Sequence, residues 1–259
     1  MSELVRSERR GRVGLLTLNR PDALNALSRA LLGALEQGIR ELADDAELRA
    51  LVVTGEGRAF AAGADIAEMR GFSPLEAQAF SRLGHRVFGA LEALPIPTIA
   101  AVNGFALGGG CELALACDWI YAAHRARFGQ PEVALGLIPG FGGTSRLVRR
   151  VGLGWARELV LSGEPIGTEI AERIGLVNRS FEDAGALLEA ALAAGESVAA
   201  RGPLAVAAAK RLMGEGQDAD VRVAHALEQG AFGVVFASED RAEGIDAFLA
   251  RRDPKFQGS

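Results

Sequence analysis

Four short apolar runs in the first half of the chain, each followed by a helical pattern, constrain the fold most. Residues 12–18 (RVGLLTL), 49–54 (RALVVT), 98–102 (TIAAV) and 119–123 (WIYAA) are aliphatic or β-branched and too short for buried helices, so they predict strands. Between them the pattern predicts helices over 23–43, over 73–94 and from Gly108 to about Cys117. The second opens on Ser73-Pro74-Leu75-Glu76, a capping box with proline at the first helical position, and ends at Pro95 and Pro97. Strand and helix in alternation argue an α/β fold in which loops at strand ends build the site.

Beyond Arg127 the pattern changes. Helices are expected over 144–151, 155–161 and 168–174, a short strand over 175–181, and then helices almost without interruption at 184–200, 203–213, 218–236 and 238–251. The chain therefore divides into an α/β core, 1–198, and a helical region, 199–259. Helices with apolar faces need cover from the core, from a partner subunit, or from both.

Composition removes several function classes. With 259 residues and 49% hydrophobic content the chain buries a full core, yet no run approaches the roughly 18 apolar residues of a membrane span. Charges in the opening MSELVRSERRGRVG leave no apolar leader, so a soluble, cytoplasmic protein is expected. Cys111 and Cys117 on one predicted helix stand about 9 Å apart along its axis, too far for a disulfide. A net charge of −5 supplies no basic field for nucleic acid or a membrane surface. His85, His124 and His225 are scattered without metal-ligand spacing, so no metal is expected.

Three stretches carry the chemistry. In 100–112 (AAVNGFALGGGCE) an apolar run leads into Gly108–Gly110, which open a helix with a carboxylate at Glu112. Glycines there let a ligand approach free backbone N–H groups at a helix start, although a tightly packed turn uses glycines too. In 59–65 (AFAAGAD) small residues leave room against the backbone around Ala64. In 128–144 (FGQPEVALGLIPGFGGT) Glu132 sits in an apolar, proline-bounded loop. The run after Gly140 ends in Ser145 where a dinucleotide fingerprint needs glycine, and neither a P-loop GK[ST] nor a GxSxG elbow is present. Each glutamate alone reads first as a cap or surface carboxylate. Together with two donor stretches they define a reaction class: N–H groups hold a carbonyl oxygen as it becomes an enolate, and carboxylates move protons at neighbouring carbons.

At this point the chain closely resembles the crotonase family, the enoyl-CoA hydratases and isomerases. The likeness spans nearly its whole length and rests on Asn19-Arg20-Pro21 with Asn25-Ala26-Leu27, AFAAGAD at 59–65, AAVNGFALGGGCELAL at 100–115, and FGQPEVALGLIPGFGGT at 128–144. It implies a spiral of ββα units with a helical C-terminal region that forms homotrimers or hexamers. It implies an acyl-CoA thioester substrate without a separate cofactor. The N–H groups of Ala64 and Gly109 then correspond to an oxyanion hole, Glu112 and Glu132 to the pair that handles water, and Ala62, Ala64, Asp65, Ile66 and Gly109 to the surface that receives coenzyme A. Residues 70–91 correspond to the region that shapes the acyl-tail pocket.

Glutamate at both carboxylate positions makes the hydratases the nearest likeness. An isomerase that moves a double bond needs one such group, and a non-catalytic RNA-binding protein on the same scaffold is disfavoured by the acidic charge. One departure stands out. Many relatives carry lysine just after the GAD motif, where this chain has Ala67, so contacts to the coenzyme A phosphates fall to other groups, with Arg20 or the Lys255-Phe256 end as candidates.

Overall fold

The computed structural model describes residues 3–259. Strand β1 (Val5–Arg10) turns at Gly11, whose φ of +60° admits a tight hairpin, into β2 (Val13–Leu18), paired from Val5 with Leu18 to Arg10 with Val13. The charged sequence VRSERR hides this strand, because an edge strand with one solvated face has no apolar pattern to show. β3 (Ala50–Gly55), β5 (Thr98–Val102), β7 (Trp119–Ala123) and β10 (Arg179–Phe181) extend the sheet in parallel, giving the order β1-β2-β3-β5-β7-β10. After β3, β5 and β7 the chain adds a three-residue strand: β4 (Ala59–Ala61), β6 (Phe105–Leu107) and β8 (Arg127–Gly129). With β9 (Ile166–Gly167) these build a second, four-stranded sheet ordered β4-β6-β8-β9.

The crossovers are α1 (Arg29–Ala43), α2 (Ile66–Met69), α3 (Pro74–Glu92), α4 (Gly109–Leu115), α5 (Gly143–Ser162) and α6 (Thr168–Arg173). Each turn of the spiral thus runs strand, short strand, helix. The central strands are buried on both faces, so alternate residues belong to two cores. Leu16, Leu18, Leu51, Val53, Ala100 and Val102 meet α1 and α3 through Leu31, Leu35, Val87 and Phe88. Val13, Leu15, Ala50, Val52, Ile99 and Ala101 meet α7 (Ala184–Ala199) through Leu187 and Ala191.

Three sequence expectations are corrected. The first helix begins at Arg29, not 23, because Leu24 and Asn25 take φ of +52° and +56° and end the short 3-10 turn Pro21–Ala23. Buried Asn25 makes that conformation worthwhile: Oδ1 accepts from the Arg20 N–H at 2.8 Å, and Nδ2 donates to the carbonyls of Glu56 and Ala59 at 3.1 and 2.9 Å. The strand expected over 175–181 shrinks to Arg179–Phe181, since Gly175, at φ +80°, is still turning the chain out of α6. The 59–65 segment, read as a loop, contains β4. The separate helices expected at 144–151 and 155–161 do exist as two halves of α5, broken at Gly152, whose φ and ψ of 78° and 163° are not helical.

The last helices are α8 (Pro203–Gly216), α9 (Val221–Phe236) and α10 (Glu239–Ala250). α8 and α9 bury no residue, and α10 buries only Asp240 and Ala247. Asp240 accepts from the backbone N–H groups of Gln257 and Gly258 at 2.6 and 2.9 Å, which folds the tail back on α10. Among the described residues no helix is long and apolar enough to cross a membrane.

Candidate active site

The spiral brings the three chemical stretches together at the ends of β4, β6 and β8. Gly108, at φ +50°, ends β6, donates its N–H to the Gly129 carbonyl at 2.9 Å and opens α4. Only glycine fits at Gly110, where a Cβ would overlap the Ala61 carbonyl, so α4 starts in direct backbone contact with β4. That closeness juxtaposes the two donor turns: a Cβ on Gly108 would stand 3.7 Å from the Gly63 Cα.

The Gly63 turn is itself clamped. Leu27 donates its N–H to the Gly63 carbonyl at 2.8 Å, Asp65 donates to the Leu27 carbonyl at 3.0 Å, and Ala62 donates to the Leu24 carbonyl at 3.0 Å. The intervening N–H of Ala64 has no partner among the described residues, and neither has that of Gly109, the first residue of α4. Two free donors therefore border one space, and Glu132 looks into it: its Oε1 would lie 2.7 Å from a Cβ on Gly108.

Glu112, one turn into α4, is 1% exposed. Its Oε1 accepts from the N–H groups of Phe141 at 2.8 Å and Gly143 at 2.7 Å, while Oε2 takes no hydrogen bond among the described residues. Burial raises its carboxyl above the ordinary range, and the N–H groups of Gly143 and Phe141 and the charge of Arg146 pull the other way. Glu132 lies on the 3-10 turn Pro131–Leu135, half-buried. Burial, with a smaller contribution from the Glu112 charge, pushes its carboxyl up to about 7. Two acids of unequal environment therefore lie close enough for the charge of one to act on the other, the arrangement that separates an acid from a base.

Sequence reasoning missed Gln130. Its side chain is wholly buried, and with its amide nitrogen facing the carboxylate it donates to both oxygens of Glu132 at 3.2 Å. Nothing but its place two residues before Glu132 marked it.

The residues expected at the coenzyme A surface divide. Ala62 and Ala64 are half-buried and Ile66 is 47% exposed at the start of α2. Asp65 is turned to structure: Oδ1 caps α2 by accepting from the Glu68 N–H at 3.1 Å, and Oδ2 accepts from Arg20 at 2.6 Å. That ion pair holds the Asp65 carboxyl below its ordinary range and occupies the Arg20 charge. Lys255 and Phe256 lie on the tail, where Lys255 donates its backbone N–H to Glu243 at 2.7 Å and the Phe256 ring faces Gly202 and Gly244. Desolvation pushes the buried thiols of Cys111 on α4 and of Cys117 just beyond its end up to about 12, which makes them inert.

A spiral of ββα turns carrying unpaired N–H groups beside one buried and one half-buried carboxylate defines a crotonase-fold enzyme. The enoyl-CoA hydratase/isomerase family matches residues 8–259. The chain is 45% identical to a short-chain-enoyl-CoA hydratase of Clostridium acetobutylicum, over 95% of this chain and 94% of that one, and 46% identical to a 2,3-dehydroadipyl-CoA hydratase of Escherichia coli over the whole of both. Among solved structures, subunit I of an enoyl-CoA hydratase from Geobacillus kaustophilus superposes with a TM-score of 0.94 at 40% identity, covering both chains fully. That from Bacillus anthracis gives 0.95 at 37%, covering 99% of this chain and all of its own. The chain belongs to the enoyl-CoA hydratase/isomerase family.

Proposed function

We propose that the protein is an enoyl-CoA hydratase, a hydro-lyase that adds water reversibly and syn across a trans-2-enoyl-CoA to give the 3-hydroxyacyl-CoA. The observation that carries this reading is the pair of unequal, electrostatically coupled glutamates beside two free N–H groups. In the hydration direction the thioester oxygen lies between the N–H groups of Ala64 and Gly109, which stabilise the negative charge it gains. Glu112, whose Oε1 is held by two N–H groups that partly offset the effect of burial, takes a proton from water as the water oxygen bonds to C3. Glu132, whose raised pKa leaves it partly protonated near neutrality, delivers a proton to C2. The sum is addition of H and OH, so the chemistry needs neither a metal nor a redox cofactor.

The small residues Ala62 to Ile66 suit the adenine end of coenzyme A, with Asp65 holding the turn rather than the ligand. The uncovered apolar faces of α8 to α10 favour a homotrimer, alone or paired into a hexamer. Two reduced, buried cysteines fit a reducing compartment such as the cytoplasm.

Loss of the conjugated thioester absorbance of crotonyl-CoA tests the reaction. Glu112→Gln and Glu132→Gln are each expected to lower kcat by roughly 10² or more. Undiminished hydration in both variants rejects the mechanism, and double-bond migration without hydration would point to the isomerase instead.

A further inference from the structure

Both hydrogen bonds to Glu112 come from one turn, and that turn is gripped from outside the site. We propose that Ser81 and Arg146 are positioning residues for Glu112, acting through the backbone of Gly140 to Gly143; the role rests on the hydratase reading above. The N–H of Phe141 belongs to the same peptide unit as the carbonyl of Gly140, which accepts from the Ser81 hydroxyl at 2.6 Å. One peptide thus links Ser81 on α3 to the carboxylate on α4. A hydroxyl donating to the carbonyl end polarises the unit and strengthens the bond its N–H makes at the other end.

The next carbonyl, of Phe141, accepts from Arg146 Nη1 at 2.6 Å. Arg146 is held in turn: Nε and Nη2 form a two-pronged bond to Glu92 at 3.0 and 2.8 Å, and its side chain is 11% exposed. The carbonyl of Gly142, on the unit whose N–H of Gly143 also reaches Glu112, accepts from the Ser145 hydroxyl at 3.0 Å and the Arg146 N–H at 2.9 Å. The carbonyls of Gly140, Phe141 and Gly142 are therefore all bonded, which fixes both N–H groups on one carboxylate oxygen.

The grip follows one face of α3. Ser81, Gly84, Phe88 and Glu92 recur at helical spacing, and all four reach this turn or its Arg146 anchor. Gly84 has no room for a Cβ against the Phe141 ring, Phe88 meets that ring at 5.6 Å between centroids, and Glu92 holds Arg146. The helix that the family resemblance gives to the acyl-tail pocket also orients the base, so changes made in it for chain length carry a cost in chemistry.

Steady-state hydration of crotonyl-CoA across pH 5 to 9 tests the assignment, with Ser81→Ala, Ser81→Thr and Arg146→Lys each checked by thermal melting for an intact fold. Weaker N–H donation makes the ionised form of Glu112 less favoured, so the acid limb of kcat/KM should move to higher pH in Ser81→Ala. Its kcat should fall roughly fivefold to twentyfold with KM within about twofold, and Ser81→Thr should restore most of the loss. Arg146→Lys, which loses the two-pronged bond, should show the same shift. Wild-type kcat with an unmoved acid limb in Ser81→Ala and Arg146→Lys overturns the proposal. So does an equal loss in the alanine and threonine variants without a shift, which would mark mere support of the loop. Absence of hydration by the unsubstituted protein would instead overturn the functional reading and this role with it.

Discussion

Glu132 keeps its proton because burial withholds the water that would ionise it, and that makes its charge state the most exposed point of the mechanism. Under the proposed mechanism Glu132 must be protonated to serve C2, so it fails as pH rises through its pKa. Hydration measured as kcat/KM, which reports the free enzyme, is therefore expected to fall about tenfold per pH unit above a limb near 7, and a flat profile to pH 9 would reject Glu132 as the acid. Folding responds to the same group. Its value rises from 4.5 to about 7 on folding, so between these pH values the native state binds more protons than the unfolded one. Its contribution to stability is fully present below 4.5, declines across that window and is lost above 7. Half-exposure reduces the effect to on the order of 1 kcal/mol. Urea melts should show Glu132→Gln matching the parent at pH 4 and exceeding it at pH 8; an advantage independent of pH would contradict the linkage. The two glutamates that the fold brings together stood out in the sequence because a carboxylate in an apolar run is conspicuous. Gln130, Ser81 and Arg146 were not, since a polar residue acquires meaning only from the partner that the fold sets beside it, and for Ser81 that partner is 59 positions away.

Elements were legible where a buried strand or an amphipathic helix has a period of its own. β3, β5 and β7, and α3 with its capping box, appear close to where the pattern put them. The short strands β4, β6 and β8 did not announce themselves, because three residues are too few for a period and they pair only within their own small sheet. The delayed start of α1 has the same origin: Leu24 and Asn25 read as helical, but the buried amide of Asn25 has backbone partners at Arg20, Glu56 and Ala59 that outweigh the cost of a positive φ. Because residues 24–27 in turn pin 62–65, the effect reaches the Ala64 donor. Asn25→Ala removes the side-chain partner of three backbone groups, one of the bonds fully buried, and is expected to cost about 2–4 kcal/mol in denaturant melts. It should lower kcat as well, by loosening the turn that aims the Ala64 N–H. Wild-type stability in that variant would show that the loop holds its shape without the amide.

At the scale of the whole molecule, the α/β spiral is closed on itself while the helical end is not. α8 and α9 bury nothing, and Phe232, Val234, Phe248 and Leu249 are 70%, 75%, 82% and 74% exposed. A soluble monomer seldom leaves so many large apolar side chains in water, because each Å² costs about 25 cal/mol. The sequence disclosed the apolar helices but not their fate, since a helix apolar on several faces reads the same whether its own core or another chain covers it. A second and third copy of this chain are the simplest cover, and closed rotational symmetry lets one patch serve every subunit. A stable contact of that kind buries about 800 Å² per partner. Light scattering at micromolar concentration is accordingly expected to give three or six times the mass of one chain. Phe232→Asp combined with Phe248→Asp places charges where that contact excludes water, so the mass should fall toward one chain and the melting temperature with it. A monodisperse monomer before substitution would mean that these helices find their cover elsewhere. An unchanged mass in the double variant would place the contact on another face.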